Sequence, residues 1–549
     1  MQKIILLSCF FGVASFTANT QVIDSTFGIP TSLDPCCLVH GITGCNFGGS
    51  DQAFLAVHLD DGRIILAGDT RWQGESDFAI ARLMPDGQYD QSVGVDGQVR
   101  IDLGYPNDSC LAAARYQNDQ ILMGGCVWQA GTTGYVNLIA RVDLNGNLDP
   151  SFGNSGFLTI DLPTVAHKMI TKIRPLPDGK IVIAGNILYG SVNWPDSTGI
   201  FLGRLLPNGQ VDTSFGTAGF VHHQWELGCN ASILGDAITD NQDRILLTGA
   251  SYDPYLGIQE GTINCQHDIV LFRYLSNGQP DPGFGSNGSL ELPNTAKGRG
   301  YTLAIYEDGR ILLAGAAGNL LLSSPAYVFL ARFMPDGTPD ITFGDNGRFK
   351  KGIIVYGLSG GIAEPFGVLR MRDRILVGVS NSIIGDDPGF GAICLTENGK
   401  IDSTFGIQGS FNAFPDLTMQ SYINQISSSA DNNFFFSGYS RLLQPNNMAI
   451  AKVRWDITSK MEEKISHFNI KIYPNPVSQG FFYLDIGNIH DVEENLSLKL
   501  KDVNGRIIYQ QRCVEVTGAI NVPDFLSGLY FVELVGQRSH YLGKIVFQK

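Results

Sequence analysis

One short motif, Asp-x-x-Phe-Gly, occurs seven times, starting at Asp24, Asp90, Asp149, Asp212, Asp281, Asp340 and Asp402, with Val93 replacing Phe in the second copy. Successive copies stand 59 to 69 residues apart. A period of this size restricts the chain to a repeat architecture, in which each unit buries its apolar surface against its neighbours. A second signature alternates with the first: a polar turn, an apolar run and a small residue, as in Asp61-Gly62-Arg63-Ile64-Ile65-Leu66-Ala67-Gly68. Its other copies begin their apolar runs at Ile121, Ile181, Ile245, Ile311, Ile375 and Phe434.

Each unit reads as four short strands; in the third they cover 156–162, 169–176, 180–185 and 200–206. The turns between strands are often Asp-Gly or Asn-Gly, dipeptides that suit tight hairpins because they accept positive φ. With 65 glycines and only 17% charged residues, the composition fits many tight turns and few solvated helix faces. No 3.6-residue apolar period supports a helical solenoid. Seven four-stranded units predict an all-β fold, a seven-bladed β-propeller.

The two ends of the repeat array are complementary. The chain enters at the tail of a unit, Val22-Ile23-Asp24-Ser25-Thr26-Phe27-Gly28, and leaves after the strand 448–453, where that tail is missing. Pairing the two segments closes a ring and removes the free strand edges that template aggregation. Met84-Pro85-Asp86-Gly87-Gln88 suits a three-residue hairpin loop, which sets Arg82 opposite Asp90. The same register pairs Arg141 with Asp149, Arg204 with Asp212, Arg273 with Asp281 and Arg332 with Asp340, while Cys394 breaks the pattern in the sixth unit. In the last unit the basic residue is Lys452, and its acid is Asp24, so ring closure requires these two within about 10 Å.

The alternating segments resemble the delta-60 repeat family of bacterial propeller-like proteins over residues 22–453. The resemblance implies a fold and no defined activity. We expect a signal peptide over 1–20, with Lys3 as its positive region and an apolar stretch from Ile4 to Val13. Cys9 follows too few apolar residues for a lipoprotein signal, and no later stretch is long and apolar enough to span a membrane. The expected domains are the propeller over 21–453, a polar linker over 454–467 and a small Ig-like sandwich over 468–549. The last segment opens with Ile472-Tyr473-Pro474-Asn475-Pro476 and contains Asp502-Val503-Asn504-Gly505-Arg506, Gly528-Leu529-Tyr530-Phe531 and Gly543-Lys544-Ile545-Val546. In that order these segments resemble the type A sorting domain of the type IX secretion system of Bacteroidota. The resemblance implies that residues 468–549 engage the secretion machinery, and that the protein is secreted or held at the outer-membrane surface.

The net charge of −15 argues against nucleic acid as a partner, because phosphates would be repelled. Strand direction sends the short Asp-Gly turns to one face of the ring and the longer connections to the other. Trp72, Trp128, Trp194 and Trp225 fall on the longer side, with Tyr135, Tyr189, Tyr252, Tyr255 and Tyr327 and the acids Asp69, Glu75, Asp253, Asp386 and Asp387. The candidate ligand residues are those four Trp with Tyr252 and Tyr255, whose rings suit glycan or protein surfaces. Their other reading is plain packing of the loops against one another.

Cys110 with Cys126, and Cys229 with Cys265, are the candidate disulfides; Cys36, Cys37 and Cys45 offer a further pair, and Cys394 and Cys513 are left free. No metal site, cofactor motif or catalytic constellation is expected. His222-His223 lack a third ligand, and the loop from Asp143 to Asp149 lacks a closing Glu for calcium. The buried-looking Phe27, Phe152, Phe215, Phe284, Phe343 and Phe405 read as blade packing. Three functions follow: a non-enzymatic surface binding protein, a propeller glycoside hydrolase using loop carboxylates, and a structural envelope scaffold.

Overall fold

Alternating turn and strand signatures build seven antiparallel sheets in the computed structural model of the protein. It describes residues 21–455 outside 25, 29–41, 73, 106, 129–134, 161–166, 191–194, 224–230, 253–267, 293–297, 318–326, 353–361, 372, 383–389, 407–408, 413–419, 430–432 and 442–446, together with the strands of the C-terminal unit. The expected signal peptide over 1–20 lies outside the described residues. Two compact units form, Met1–Asp456 and Ile457–Lys549.

The first strands are β1 (Gln21–Ile23), β2 (Ile42–Cys45), β3 (Ser50–His58), β4 (Ile64–Trp72), β5 (Glu75–Leu83), β6 (Gln98–Ile101), β7 (Asp108–Tyr116), β8 (Gln120–Trp128), β9 (Tyr135–Val142) and β10 (Phe157–Ile160). Blade 1 runs β3-β4-β5-β6 from the axis outward, and blade 2 is β7-β8-β9-β10. The pattern continues through four more blades. Blade 7 has three consecutive strands, Gln420–Ser428, Phe434–Arg441 and Asn447–Trp455, and takes its outer edge from the N-terminus. There β1 pairs Gln21 with Trp455 through Ile23 with Val453, and β2 continues the same edge from Ile42 opposite Ala451 to Cys45 opposite Met448. The sequence repeat is thus offset from the blade by one strand, which is how its two ends complement each other.

The Asp-x-x-Phe-Gly motif acts as a clip between blades. In blade 2 the Asp149 Oδ1 accepts from the amide (3.0 Å) and hydroxyl (2.7 Å) of Ser151, and its Oδ2 accepts from Arg141 Nε at 2.9 Å. The Arg141 guanidinium also donates to the carbonyl of Pro207 in the next blade's turn, at 2.5 Å, and lies 4.8 Å over the ring of Phe152. Gly153 then donates its amide to Asn208 O at 2.8 Å; its φ of 56° suits glycine. The expected Arg–Asp register holds elsewhere, at 2.8 Å for Arg82–Asp90, 2.8 Å for Arg204–Asp212 and 2.7 Å for both Arg273–Asp281 and Arg332–Asp340. In blade 6, where Cys394 replaces the arginine, Arg374 on the neighbouring strand reaches Asp402 at 2.5 Å.

The six motif phenylalanines are at most 1% exposed, each wedged between two blades. Phe27, for example, packs with Leu66, Leu83 and Ile450 across the ring closure. Burying a Phe side chain stabilises by about 1.5–3 kcal/mol. The loop from Asp143 is a hairpin cap: Asn145 and Asn147 donate backbone amides to Asp143 Oδ1 at 2.8 and 2.9 Å.

Every innermost strand carries one β-bulge at an equivalent place, and the extra residues are Phe54, Leu111, Thr171, Gly235, Tyr301, Phe366 and Asn424. A bulge kinks a strand and re-aims a side chain. All seven of these residues line a central cavity of about 640 Å³. Side chains bridge its rim between blades, as where Ala56 N donates to Gln425 Oε1 at 2.7 Å and Asn424 Nδ2 to Ala53 O at 2.9 Å, joining blade 7 to blade 1.

The C-terminal unit holds two small antiparallel sheets. One orders Lys471–Tyr473, Phe481–Asp485 and Ile520–Asn521; the other orders Ile507–Cys513, Leu496–Lys501, Gly528–Val535 and His540–Phe547. Among the described residues no helix is long and apolar enough to cross a membrane.

Candidate ligand-binding face

Hairpin alternation places the turns after β3 and β5 on one face, and the β4–β5 and β6–β7 connections on the other. Trp72 ends β4 and Trp128 ends β8, so both indoles stand on this second face, 37% and 42% exposed. Trp72 does not sit in a long loop: it pairs with Glu75 across a two-residue hairpin, and its ring lies against Gly48, where a Cβ would come within 2.1 Å of the ring. Trp128 meets Tyr135 edge-to-face at 5.5 Å, and Tyr135 in turn lies 5.7 Å from the ring of His167. Trp194, Trp225 and Tyr255 lie outside the described residues, and Tyr252 is described only as the last residue of the strand Ile245–Tyr252.

The same face carries a set of carboxylates. Asp51 and Asp108 open β3 and β7 with no exposed surface, and Asp77 on β5 is 2% exposed. Burial pushes Asp51 up to about 6. Burial and the charge of Asp51 raise Asp69 to about 7, while burial and the charge of Asp77 raise Asp108 to about 8. Asp108 Oδ2 accepts from Leu103 N at 3.1 Å, but its Oδ1 has no partner. Asp77, Asp102 and Asp108 bring carboxylate oxygens within 4.8 Å of one another, a spacing that could hold a cation, although Arg100 already pairs with Asp77. Of this set the sequence reading named Asp69 alone. Asp51, Asp77 and Asp108 escaped it because an acid at a strand end reads as an exposed turn residue.

The cysteine pairing needs correction. Cys110 and Cys126 are both buried free thiols. Cys110 is the partner of Gly125 and Ser109 the partner of Cys126, so the one-residue offset sends the two thiols to opposite faces of the sheet. Burial raises both thiols, Cys126 to about 12, which keeps them protonated and inert. Cys45 and Cys394 are also buried and free. Cys229, Cys265, Cys36 and Cys37 lie outside the described residues. His222 sits on the outer strand Phe220–His223 opposite Phe201, with burial and nearby Lys168 lowering its pKa.

Residues 471–548 match the model of the secretion system C-terminal sorting domain. Residues 59–92, 117–152, 176–215 and 307–343 match a β-propeller domain of unknown function, DUF5122. No curated protein matches the chain. Similar solved structures include the extracellular domain of a hybrid two-component system from B. thetaiotaomicron, 11% identical over 92% of this chain and 59% of that one, with a TM-score of 0.38. This chain therefore spans less than two thirds of that structure. PorZ, a surface component of the type IX secretion system of Porphyromonas gingivalis, is 12% identical over 93% of this chain and 76% of its own, with a TM-score of 0.31. An α-L-arabinofuranosidase from Fusarium graminearum is 10% identical over 63% of this chain and 93% of its own, with a TM-score of 0.37. Likeness at this level carries no argument about activity. The sorting domain marks the protein for export to the cell surface or the medium. The chain joins a seven-bladed β-propeller, four segments of which match DUF5122, to a secretion system C-terminal sorting domain.

Proposed function

We propose that the propeller is a non-enzymatic recognition module, displayed at the surface or released, which binds glycan or protein through the face carrying Trp72 and Trp128. The observation that carries this reading is the contrast on that face between the two indoles and the acids Asp51 and Asp108. The indoles are exposed, whereas Asp51 and Asp108 have no exposed surface. A glycosidase needs two carboxyl groups in contact with the sugar, and Asp51 and Asp108, shut beneath the surface, cannot flank a glycosidic bond. Exposed Trp and Tyr supply large, stiff contact area at low entropic cost.

A glycan array probed with the full chain, followed by product analysis of every retained glycan, tests the proposal. Retention without cleavage, weakened about tenfold by Trp128→Ala, is the expected result. Release of sugar from a retained glycan contradicts it, as does the absence of retention on any glycan or protein surface.

A further inference from the structure

The axle of the propeller carries charge opposite to that of the whole protein. The chain has a net charge of −15, yet Lys172, Arg174 and Arg299 line the central cavity with Asp236. Asp236 is already saturated. Its oxygens accept from Arg174 Nη2 at 2.8 Å, Ala237 N at 2.8 Å, Leu303 N at 3.0 Å and Thr302 Oγ1 at 3.4 Å. Lys172 Nζ stands off at 3.8 Å.

Arg299 has no carboxylate within ion-pairing distance among the described residues. Its Nη2 donates to the carbonyl of Leu234 at 3.2 Å, and its guanidinium lies 4.8 Å over the ring of Tyr301. Its Nε is buried without a partner. Burial foremost, and then the charges of Arg174 and Arg299, lower the pKa of Lys172 against the opposing charge of Asp236. A fourth lining cation, Arg115, is paired with Asp119, so Lys172, Arg174 and Arg299 face one committed carboxylate and leave an excess of positive charge in a cavity of about 640 Å³. A fold that needed these side chains only for packing would gain by neutralising them.

We propose that the central channel is a binding site for a small oxyanion, a carboxylate or phosphate group on a low-molecular-weight solute, held by Lys172, Arg174 and Arg299. Guanidinium groups offer oxyanions a planar fork of N–H donors, and the ammonium adds a mobile point charge. Lys172 and Arg174 each keep 31% of their side-chain surface exposed, so the ring screens these contacts from water only in part. The acidic exterior offers no comparable attraction, so selectivity for the anion arises inside the channel. This site is distinct from the aromatic face, and either can hold without the other.

Isothermal titration calorimetry on the full chain at low ionic strength, with sodium phosphate in one arm and sodium succinate in the other, tests the proposal. Saturable binding in at least one arm is expected, and the tighter arm identifies the group. Arg299→Gln and Lys172→Met should each weaken it about tenfold or more, while Arg454→Gln, an exposed residue on the last propeller strand, should leave it unchanged. Thermal melts confirm folding, and Lys172→Met, which loses only the 3.8 Å contact, decides the matter if Arg299→Gln fails to fold. The proposal is overturned if neither solute saturates below about 10 mM, if both channel variants bind like the wild type, or if Arg454→Gln loses as much affinity as they do.

Discussion

The carboxylate of Asp24 lies 3.4 Å from the ammonium of Lys452, and the amide of Asp24 donates to the carbonyl of Lys452 at 3.0 Å. These residues stand at opposite ends of the repeat array, so the contact closes the ring. Burial opposes ionisation of Asp24, but hydrogen bonds from Thr26 and the charge of Lys452 hold its carboxyl below the usual range. Replacing Asp24 by Pro removes the donor to Lys452 along with the carboxylate. We expect a loss of about 3 kcal/mol or more and a lower thermal midpoint, whereas Asp24→Asn, which keeps the amide, should cost about half as much.

Blade 6 should be more sensitive than blade 1 to loss of a single cation. In blade 1 Asp90 is served by Arg82 at 2.8 Å and by Arg63 at 3.2 Å, whereas Asp402 has Arg374 alone because Cys394 fills the other place. Arg374→Ala should cost about 1–3 kcal/mol in chemical denaturation. Arg63→Ala should cost no more than about 1 kcal/mol. Equal losses would show that the two blades share no such difference.

The buried acids of blades 1 and 2 set a pH dependence. Asp51, Asp69 and Asp108 have folded-state pKa values of about 6, 7 and 8, above the unfolded value, so the folded state holds more protons than the unfolded one from about pH 4 to 8. Their contribution is fully present below about pH 4 and is lost as pH rises through 6 to 8. The thermal midpoint should fall by about 5 °C between pH 5 and 8.5, and Asp108→Asn should flatten the slope. A midpoint that rises over this window contradicts the assignment. Asp149 and Asp340 work at the other end. Burial would raise them, but Ser151 with Arg141, and Thr342 with Arg332, hold each at about 2. Their stabilisation is complete above about pH 4 and is lost as pH falls through 2.

Cys110 and Cys126 should resist alkylation in the folded protein. Iodoacetamide followed by mass spectrometry should leave both unmodified at neutral pH and label both after denaturation. Recovery of a peptide linking the two would contradict the register that separates them.

Much of the architecture could be read from the chain because its cues are local. Positive-φ glycines fix hairpin length, as at Gly87 with φ 83°, and hairpin length fixes which arginine faces which aspartate. The missing outer strand of blade 7 followed from where the motif begins and ends. The bulges could not be read, because Phe54, Thr171, Gly235 and Asn424 share a backbone conformation and no side-chain chemistry. Nor does the sequence distinguish Lys172 and Arg174 from the solvent side of an alternating strand; only closing the ring turns them toward the central cavity. The disulfide expected between Cys110 and Cys126 failed on a register offset of one residue, which sequence distance does not reveal. The exposed indoles at Trp72 and Trp128 were legible as candidates, but the burial of the acids on the same face depends on how neighbouring blades meet.

A covalent test of ring closure is the most direct. Ile23 and Val453 are paired across the closing strands, in the alternate, non-hydrogen-bonded position whose close Cα spacing suits a disulfide. In the Ile23→Cys, Val453→Cys double variant, oxidation should join the two ends of the propeller. Tryptic mass spectrometry should recover the linked peptides, and the thermal midpoint should rise above that of the reduced form. A folded double variant whose two new thiols remain free under oxidation would contradict the closed seven-bladed ring.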